Sequence, residues 1–185
     1  MPNKELLDKE NKTILEILKT IQQYGMGALS KKEMTELIEA DKTNWGDNIV
    51  KIGSLKGNNK SCDQATIEML TALYAFEQGE VLFKPTKAAT KQFRLDFDAA
   101  KSYFIGGNSM YGEDKGFALQ PWDSVRFENA SVVLNVNHAL AMGNYYFTDK
   151  NGKTVKVEYS FGYIKDNNGD LKINLHHSSF PYAHE

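Results

Sequence analysis

Residues 138–164 read HALAMGNYYFTDKNGKTVKVEYSFGYI, and this stretch decides the fold. Two runs rich in Val, Tyr and Phe flank the tetrapeptide DKNG at 149–152. An Asn-Gly pair between two such runs is a strong signal for a β-hairpin. The sequence therefore predicts two long antiparallel strands joined by a tight turn.

The residues on either side of the hairpin extend this pattern. DNNGD (166–170) predicts a second tight turn, and LKINLHHSSF (171–180) predicts the last strand. Upstream, the Val- and Phe-rich run SVRFENASVVLNV (124–136) predicts another strand, and VLFKPT (81–86) predicts a short one. Between them, DFDAAKSYFIGG (96–107) predicts a short helix that two glycines stop.

The first 80 residues predict helices. Ser30 and Glu33 have the spacing of a capping box and indicate the start of a helix. Ser61 and Gln64 offer another cap, for a helix that ends near Gly79. A further apolar stripe with spacings of three and four precedes them and consists of Ile14, Leu15, Ile17, Leu18 and Ile21.

Helices followed by a meander of antiparallel strands indicate an α+β fold, with the helices packed on one face of a strongly curved sheet. No linker or internal repeat divides the chain, which predicts a single structural domain. Within it, residues 1–60 would form a helical extension packed on a domain that spans residues 61–185. Helices packed into a bent sheet leave a conical cavity, and the final strands would form its wall.

Composition excludes several classes of protein. The chain has 185 residues and a net charge of −2, whereas a nucleic-acid partner requires a clustered basic excess. No apolar run approaches the roughly 20 residues needed to span a bilayer. The N-terminal residues lack the apolar core of a signal peptide, which predicts a cytoplasmic protein unless a targeting segment has been removed. A single cysteine, Cys62, excludes an intramolecular disulfide and a multi-cysteine zinc site.

The last predicted strand carries the polar run HHSS at 176–179. Side chains alternate across a strand, so His177 and Ser179 share a face with Ile173 and Leu175. That face should point to the core, with His176 and Ser178 on the other face, although a slip of one residue would invert the assignment. Buried polar groups need partners, so the inward pair either forms a structural hydrogen-bond cluster or lines a wet pocket.

The same run is a poor candidate for a zinc site. Neighbouring residues on a strand point to opposite faces, so His176 and His177 cannot easily share one metal. The other histidines, His138 and His184, lie outside this run, and no carboxylate has a metal-ligand spacing from the pair. Zinc is therefore not favoured.

An ordered set of segments resembles the iota-class carbonic anhydrases. This enzyme family falls in the calcium/calmodulin-dependent kinase II association-domain branch of the NTF2-like superfamily, whose members have cone-shaped α+β barrels. The resemblance covers roughly residues 65–182. The segments are VLFKPTKA (81–88), SYFIGG (102–107), EDKGFALQPW (113–122), VRFEN (125–129), ALAMGNYYFT (139–148) and VKVEYSFGYIKDNNGDLKINLHHSSFPY (155–182).

This resemblance implies the interconversion of CO2 and bicarbonate, together with a homodimer. Some family members have been linked to zinc or manganese, but the chain has no His- or Cys-rich cage, so the resemblance favours the metal-free type with no cofactor. The implied site residues are Thr86 of FKPT, Tyr103 of SYF, and His177 and Ser179 of HHSS. Strand alternation selects the same histidine and serine.

Two other functions stay open at the level of sequence. Kinase association domains share this architecture and only assemble, which would make the cavity incidental. A small-molecule binder or isomerase of the same superfamily would usually need a carboxylate base inside the cone. The predicted inward face of the last two strands carries no Asp or Glu, which lowers the second alternative.

Overall fold

The structure, a computed structural model, describes residues 31–135 and 138–183. The apolar stripe predicted between residues 14 and 21 lies outside the described residues. The α-helices of the described part are α1 (Lys31–Ser54), α2 (Asn59–Leu73) and α3 (Phe97–Ile105). The strands are β1 (Leu82–Lys84), β2 (Trp122–Leu134), β3 (Ala139–Asp149), β4 (Thr154–Lys165) and β5 (Leu171–Ser179).

The described strands form one sheet in the order β1-β5-β4-β3-β2. All neighbours are antiparallel except β1, which pairs in parallel with β5. The predicted hairpin joins β3 to β4. Its turn is closed by the Asp149 carboxylate, which accepts hydrogen bonds from the backbone N–H groups of Asn151 and Lys153 at 2.8 and 3.0 Å. Gly152 supplies the positive φ of 80° that this turn requires.

Helix α1 packs its apolar stripe against the sheet. Its fully buried residues recur at helical spacing and are Met34, Ile38, Trp45, Ile49 and Ile52. No helix in the described ranges has both the length and the apolar character needed to cross a membrane. The helices thus cover one face of a mostly antiparallel sheet, as the α+β prediction requires.

The second helix differs from its prediction at both ends. The cap of α2 is Asn58, whose side chain accepts a hydrogen bond from the Ser61 N–H at 3.1 Å. The helix ends at Leu73 because Tyr74 adopts an extended conformation and bridges to Ile173 of β5. The predicted boundary between the helical extension (residues 1–60) and the domain (residues 61–185) therefore falls inside helix α2. That boundary stays a prediction.

A β-bulge interrupts the pairing of β4 with β5. Gly162 lies opposite Leu175, whereas the next residue, Tyr163, lies opposite Ile173. Asn174 is therefore an extra residue in β5, and an extra residue reverses the alternation of the side chains beyond it. The predicted inward face of β4 is unaffected.

The prediction that His177 and Ser179 face the core is wrong. His176 and Ser178 are the buried pair, with 1% and 3% of their surface exposed, whereas His177 is exposed and Ser179 is half-buried. The physical reason is the bulge, because alternation from Ile173 passes through Asn174, the extra residue of β5. The two remaining predicted site residues, Thr86 and Tyr103, lie on other elements, so the bulge does not affect them.

Candidate functional site

Thr86 lies just beyond β1, beside the end of β5. The parallel pairing of β1 with β5 places Lys84 opposite His177, so the chain after β1 continues alongside Ser178. The Thr86 hydroxyl donates a hydrogen bond to the Ser178 hydroxyl over 3.0 Å. Thr86 is half-buried, whereas Ser178 is buried, so this pair runs from near the surface into the core.

Two tyrosine hydroxyls join this pair. Tyr103, on α3, lies near the Thr86 side chain and the Lys87 backbone, both of which favour its ionised form. Tyr145, on the inner face of β3, lies near the side chains of Ser178 and Thr86, both of which favour its ionised form. Both rings are at most 5% exposed. Thr86, Tyr103, Tyr145 and Ser178 together are called the hydroxyl cluster below.

Both tyrosines of the hydroxyl cluster keep their protons at neutral pH. Burial raises the pKa of Tyr103 and of Tyr145 above the usual value, because a phenolate would lose its hydration in the core. The hydroxyl cluster is therefore uncharged. Its members can donate hydrogen bonds to a ligand that carries or develops negative charge.

His176 lies on the same inner face of β5, two residues before Ser178. Its Nδ1 is 2.8 Å from the Tyr74 hydroxyl, which in turn accepts a hydrogen bond from Trp45 Nε1 at 2.9 Å. The imidazole also stacks on the Phe83 ring, at 4.7 Å between centroids. Phe83 packs against the Tyr103 ring as well, so His176 and the hydroxyl cluster share a neighbour.

The hydrogen bonds of Tyr74 determine the tautomer of His176. A phenol has one proton to donate, and indole N–H can only donate. Since Tyr74 accepts from Trp45, its own proton has an acceptor only if it is donated to His176 Nδ1. The His176 proton then lies on Nε2, which is buried and has no hydrogen-bond partner among the described residues. An unpaired buried donor costs on the order of 1–3 kcal/mol unless a ligand accepts from it.

Burial also keeps His176 neutral. It lowers the pKa of the imidazole to about 3, with a smaller contribution from the neighbouring His177. His176 is therefore a neutral hydrogen-bond donor through Nε2 rather than a general base at physiological pH.

The structure brings together Thr86 and Tyr103 of the predicted set and separates them from the other two residues. His177 and Ser179 line a groove of about 380 Å³ on the outer face of the sheet. There the Ser179 hydroxyl donates to the Glu158 carboxylate over 3.3 Å.

Sequence reasoning missed Tyr145, Tyr74 and the inward orientation of His176 and Ser178. The signal for Tyr145 was available, because strict alternation from Ala139 places it on the inner face of β3. No local pattern indicates Tyr74, which reaches His176 only because the chain leaves α2 and bridges to β5.

A buried ion cluster holds the segments around the hydroxyl cluster. Arg94 is fully buried, and its guanidinium lies 2.8 Å from Asp114 and 3.5 Å from Glu113. Asp114 also accepts a hydrogen bond from Ser102, the neighbour of Tyr103, at 2.6 Å. These contacts connect α3 to the loop that precedes the 3-10 helix Phe117–Leu119.

The Glu113 carboxylate anchors the loop that follows Thr86 through hydrogen bonds. It accepts hydrogen bonds from the backbone N–H groups of Ala89, Thr90 and Lys91 at 2.8, 2.9 and 2.8 Å. These bonds lower the pKa of Glu113 to about 2, because they stabilise the ionised form. The loop after Thr86 is therefore held in a defined position relative to α3, the helix that carries Tyr103.

Residues 31–135 and 138–183 contain no group of three His, Cys, Asp or Glu side chains that could hold a metal ion. A family described as metal-independent carbonic anhydrase matches residues 36–180. The chain belongs to this family. The match confirms the predicted family and enzyme class, and the family's description agrees with the predicted absence of a metal cofactor.

Individual members of the family are also similar to the chain. A metal-independent carbonic anhydrase from Nostoc sp. (strain PCC 7120) is 38% identical over 151 residues, which cover 80% of this chain and 73% of that protein. The crystal structure of a cyanobacterial iota-carbonic anhydrase in complex with bicarbonate superposes with a TM-score of 0.78 at 34% identity. That comparison covers 84% of this chain and 94% of the other.

A more distant structure supports the fold alone. A protein described as a calcium/calmodulin-dependent protein kinase II association domain, from Xanthomonas campestris, has a TM-score of 0.51 at 22% identity. The comparison covers 83% of this chain and 90% of that chain. Together with the cyanobacterial carbonic anhydrase, it confirms the predicted α+β fold, which the described residues build on an open sheet of five strands.

Proposed function

We propose that this member of the metal-independent carbonic anhydrase family interconverts CO2 and bicarbonate at the hydroxyl cluster, with His176 as an additional donor. The observation that carries the proposal is the burial of uncharged donors on one inner face, including His176 Nε2–H without a partner. Bicarbonate offers oxygen atoms that can accept from such donors. Preorganised donors in a site that excludes water stabilise developing negative charge more strongly than bulk water does.

The reaction joins the oxygen of water to the carbon of CO2. As that C–O bond forms, one C=O electron pair moves onto oxygen, where the negative charge of bicarbonate develops. Hydroxyl hydrogens of Tyr103 and Tyr145 are available to stabilise this charge, since burial keeps both phenols protonated. This contribution replaces part of what a metal ion does in other enzymes.

The reaction also releases one proton from the attacking water. The Ser178 and Thr86 hydroxyls, 3.0 Å apart, provide a relay once both rotate so that Ser178 donates to Thr86. Ser178 then accepts the proton of the water and passes its own to Thr86, which releases one to solvent. Thr86 is half-buried, so the relay ends close to solvent. His176 orients the reacting oxygen by donating from Nε2, because its Nδ1 is occupied by Tyr74.

Stopped-flow measurement of CO2 hydration on chelator-treated protein tests the proposal. We expect wild-type activity to survive chelation. We expect Ser178→Ala to lower kcat/KM roughly a hundredfold or more, the effect of losing one preorganised donor.

The adjacent serine provides a matched control. Ser179→Ala removes the same hydroxyl from the outer face of β5, where it contacts Glu158, and should leave the rate at the wild-type value. Equal losses in the two variants would contradict the proposed site. An inactive wild-type protein, with or without added metal ions, would favour the non-catalytic association module.

We also propose that the chain forms the predicted homodimer, through the outer face of the sheet. This face exposes large apolar side chains that a second copy would cover, namely Val133, Leu140 and Met142. Light scattering coupled to gel filtration should give twice the mass of the chain, and Met142→Glu should shift it to the monomer mass. A monomeric wild-type protein would overturn this proposal.

The predicted cytoplasmic location stays a prediction. Comparing the amount of the protein in the cytosolic, membrane and exported fractions of its source cells tests it.

A further inference from the structure

A small pocket leads from the surface to the Tyr103 ring. It has a volume of about 200 Å³ and is lined by Lys87, Tyr103, residues 113–117 and Gln120. A second pocket of about 270 Å³, with apolar walls that include Trp122, adjoins it and shares Lys87, Phe117 and Gln120. Lys87 therefore lies where the pocket that reaches Tyr103 meets the second pocket.

The Lys87 ammonium is held in place at this junction. It donates to the Gln120 side-chain oxygen over 2.9 Å and lies 6.0 Å from the centroid of the Phe117 ring. The Phe117 ring in turn stacks on Tyr103 at 5.4 Å. Lys87 is exposed overall, and partial desolvation of its ammonium lowers its pKa.

The negative charges around the pocket are already paired. Glu113 is bonded to three backbone N–H groups, and Asp114 is bonded to the buried Arg94 and to Ser102. By contrast, Lys87 lies within 4.0 Å of no carboxylate in the part of the chain that the structure describes. The pocket thus presents Lys87 as a cation without a carboxylate partner, beside two carboxylates that both contact Arg94 and a second lysine, Lys115, that bonds to the Gly112 carbonyl.

We propose that this pocket binds a small monovalent oxyanion through Lys87, as a station between the hydroxyl cluster and solvent. The identity of the anion as bicarbonate rests on the proposed function, because CO2 carries no charge for the ammonium to attract. The station holds bicarbonate before it reaches the donors of the hydroxyl cluster, or after it leaves them.

Binding rather than catalytic rate is the informative measurement. The equilibrium constant of the reaction links both directions, so any variant changes kcat/KM for hydration and dehydration by the same factor. The dissociation constant for bicarbonate is not linked in this way. It can be obtained from the backbone amide shifts of ¹⁵N-labelled protein titrated with sodium bicarbonate, at constant ionic strength and mildly alkaline pH.

We expect Lys87→Gln to weaken bicarbonate binding about fivefold, the effect of one unit charge at roughly 4 Å in water. Lys87→Arg keeps the charge and should bind as the wild type does. Lys153→Gln is the matched control, because Lys153 lines the adjoining pocket but not the proposed station. Raising the salt concentration should reduce the difference between wild type and Lys87→Gln.

The outcomes separate this inference from the proposed function. If Lys87→Gln binds bicarbonate as tightly as the wild type, or Lys153→Gln weakens binding equally, the station is wrong, whatever the activity. If binding depends on Lys87 but the wild type does not hydrate CO2, the station stands and the proposed function fails. A wild-type protein that does not bind bicarbonate overturns both.

Discussion

The two faces of β5 place the same chemical groups in opposite surroundings. On the inner face, His176 and Ser178 are buried among aromatic rings and bonded to Tyr74 and Thr86. On the outer face, one residue further along the chain, His177 is exposed and Ser179 contacts Glu158. Residue type alone therefore does not decide the chemistry, because burial fixes the protonation state and the hydrogen-bond partner of the inner pair.

Replacing the inner histidine should have the largest effect. His176→Ala empties a fully packed position and leaves the Tyr74 hydroxyl without an acceptor, so we expect a loss of about 3 kcal/mol in the free energy of unfolding. His177→Ala should change it by less than about 0.5 kcal/mol, as an exposed residue does. Urea unfolding of both variants measures the difference, and equal losses would mean that the two faces do not differ as described.

Adjacent tyrosines of β3 offer the next comparison. Tyr145→Phe removes one donor of the hydroxyl cluster and should reduce CO2 hydration about a hundredfold, or roughly 2.7 kcal/mol. Tyr146→Phe removes a hydroxyl from the opposite face, where the ring lies 4.2 Å from the Arg126 guanidinium, and should not change the rate. The stopped-flow assay distinguishes the two, and an unimpaired Tyr145→Phe enzyme would exclude Tyr145 from the site.

The pH dependence of stability tests the pKa shifts of two desolvated groups, His176 and Asp41. The folded pKa of His176 is about 3, below the unfolded value near 6.5, so this group makes stability rise with pH between those values. Burial raises the pKa of Asp41 on α1 to about 7, against the opposing charge of Lys172, so this group makes stability fall with pH between about 4 and 7. The two slopes, each about 1.4 kcal/mol per pH unit, oppose one another between about pH 4 and 6.5.

Asp41→Asn removes one of the two opposing slopes. Between about pH 4 and 6.5, its free energy of unfolding should rise with pH by about 1.4 kcal/mol per unit more than that of the wild type. Asp47→Asn, at an exposed position of the same helix, serves as the control and should follow the wild type. Parallel curves for wild type and Asp41→Asn in urea unfolding would contradict the buried titration of Asp41.

The smallest expected effect on stability is that of a substitution at the β-bulge, which determines which residues at the end of β5 face inward. A Cβ at Gly162 would lie 3.0 Å from both the Asn174 side-chain oxygen and the Leu175 Cβ. We expect Gly162→Ala to cost about 1 kcal/mol, since these neighbours must shift by a few tenths of an ångström. Thermal unfolding measures this cost. A variant as stable as the wild type would show that the bulge accommodates the added methyl group at no measurable cost in stability.

Much of the fold followed from patterns within single segments. The hairpin at 149–152, the short helix before Gly106 and the order of helices and strands depend on turn residues and on local periodicity, and both are visible in the sequence. Thr86 and Tyr103, by contrast, came from the family resemblance and stay predicted site residues, which the structure places near each other. The predictions of the hairpin, the short helix and the order of elements succeeded because each depends on residues that are close in the chain.

The phase of β5 could not be predicted in this way. Asn174 has no side-chain signature that marks it as an extra residue, and only its pairing with β4 reveals the bulge. The end of α2 depends in the same way on the bridge between Tyr74 and Ile173. Both depend on contacts between residues that are distant in the chain.

By itself, the sequence determined the family, the class of fold and the kinds of polar group available for chemistry. Only the tertiary structure decided which histidine and which serine face inward, and which nitrogen of His176 carries its proton. The physical reason is that side-chain orientation beyond a bulge depends on hydrogen bonds between strands, and the tautomer depends on Trp45 and Tyr74. Neither can be read from the residues of β5 alone.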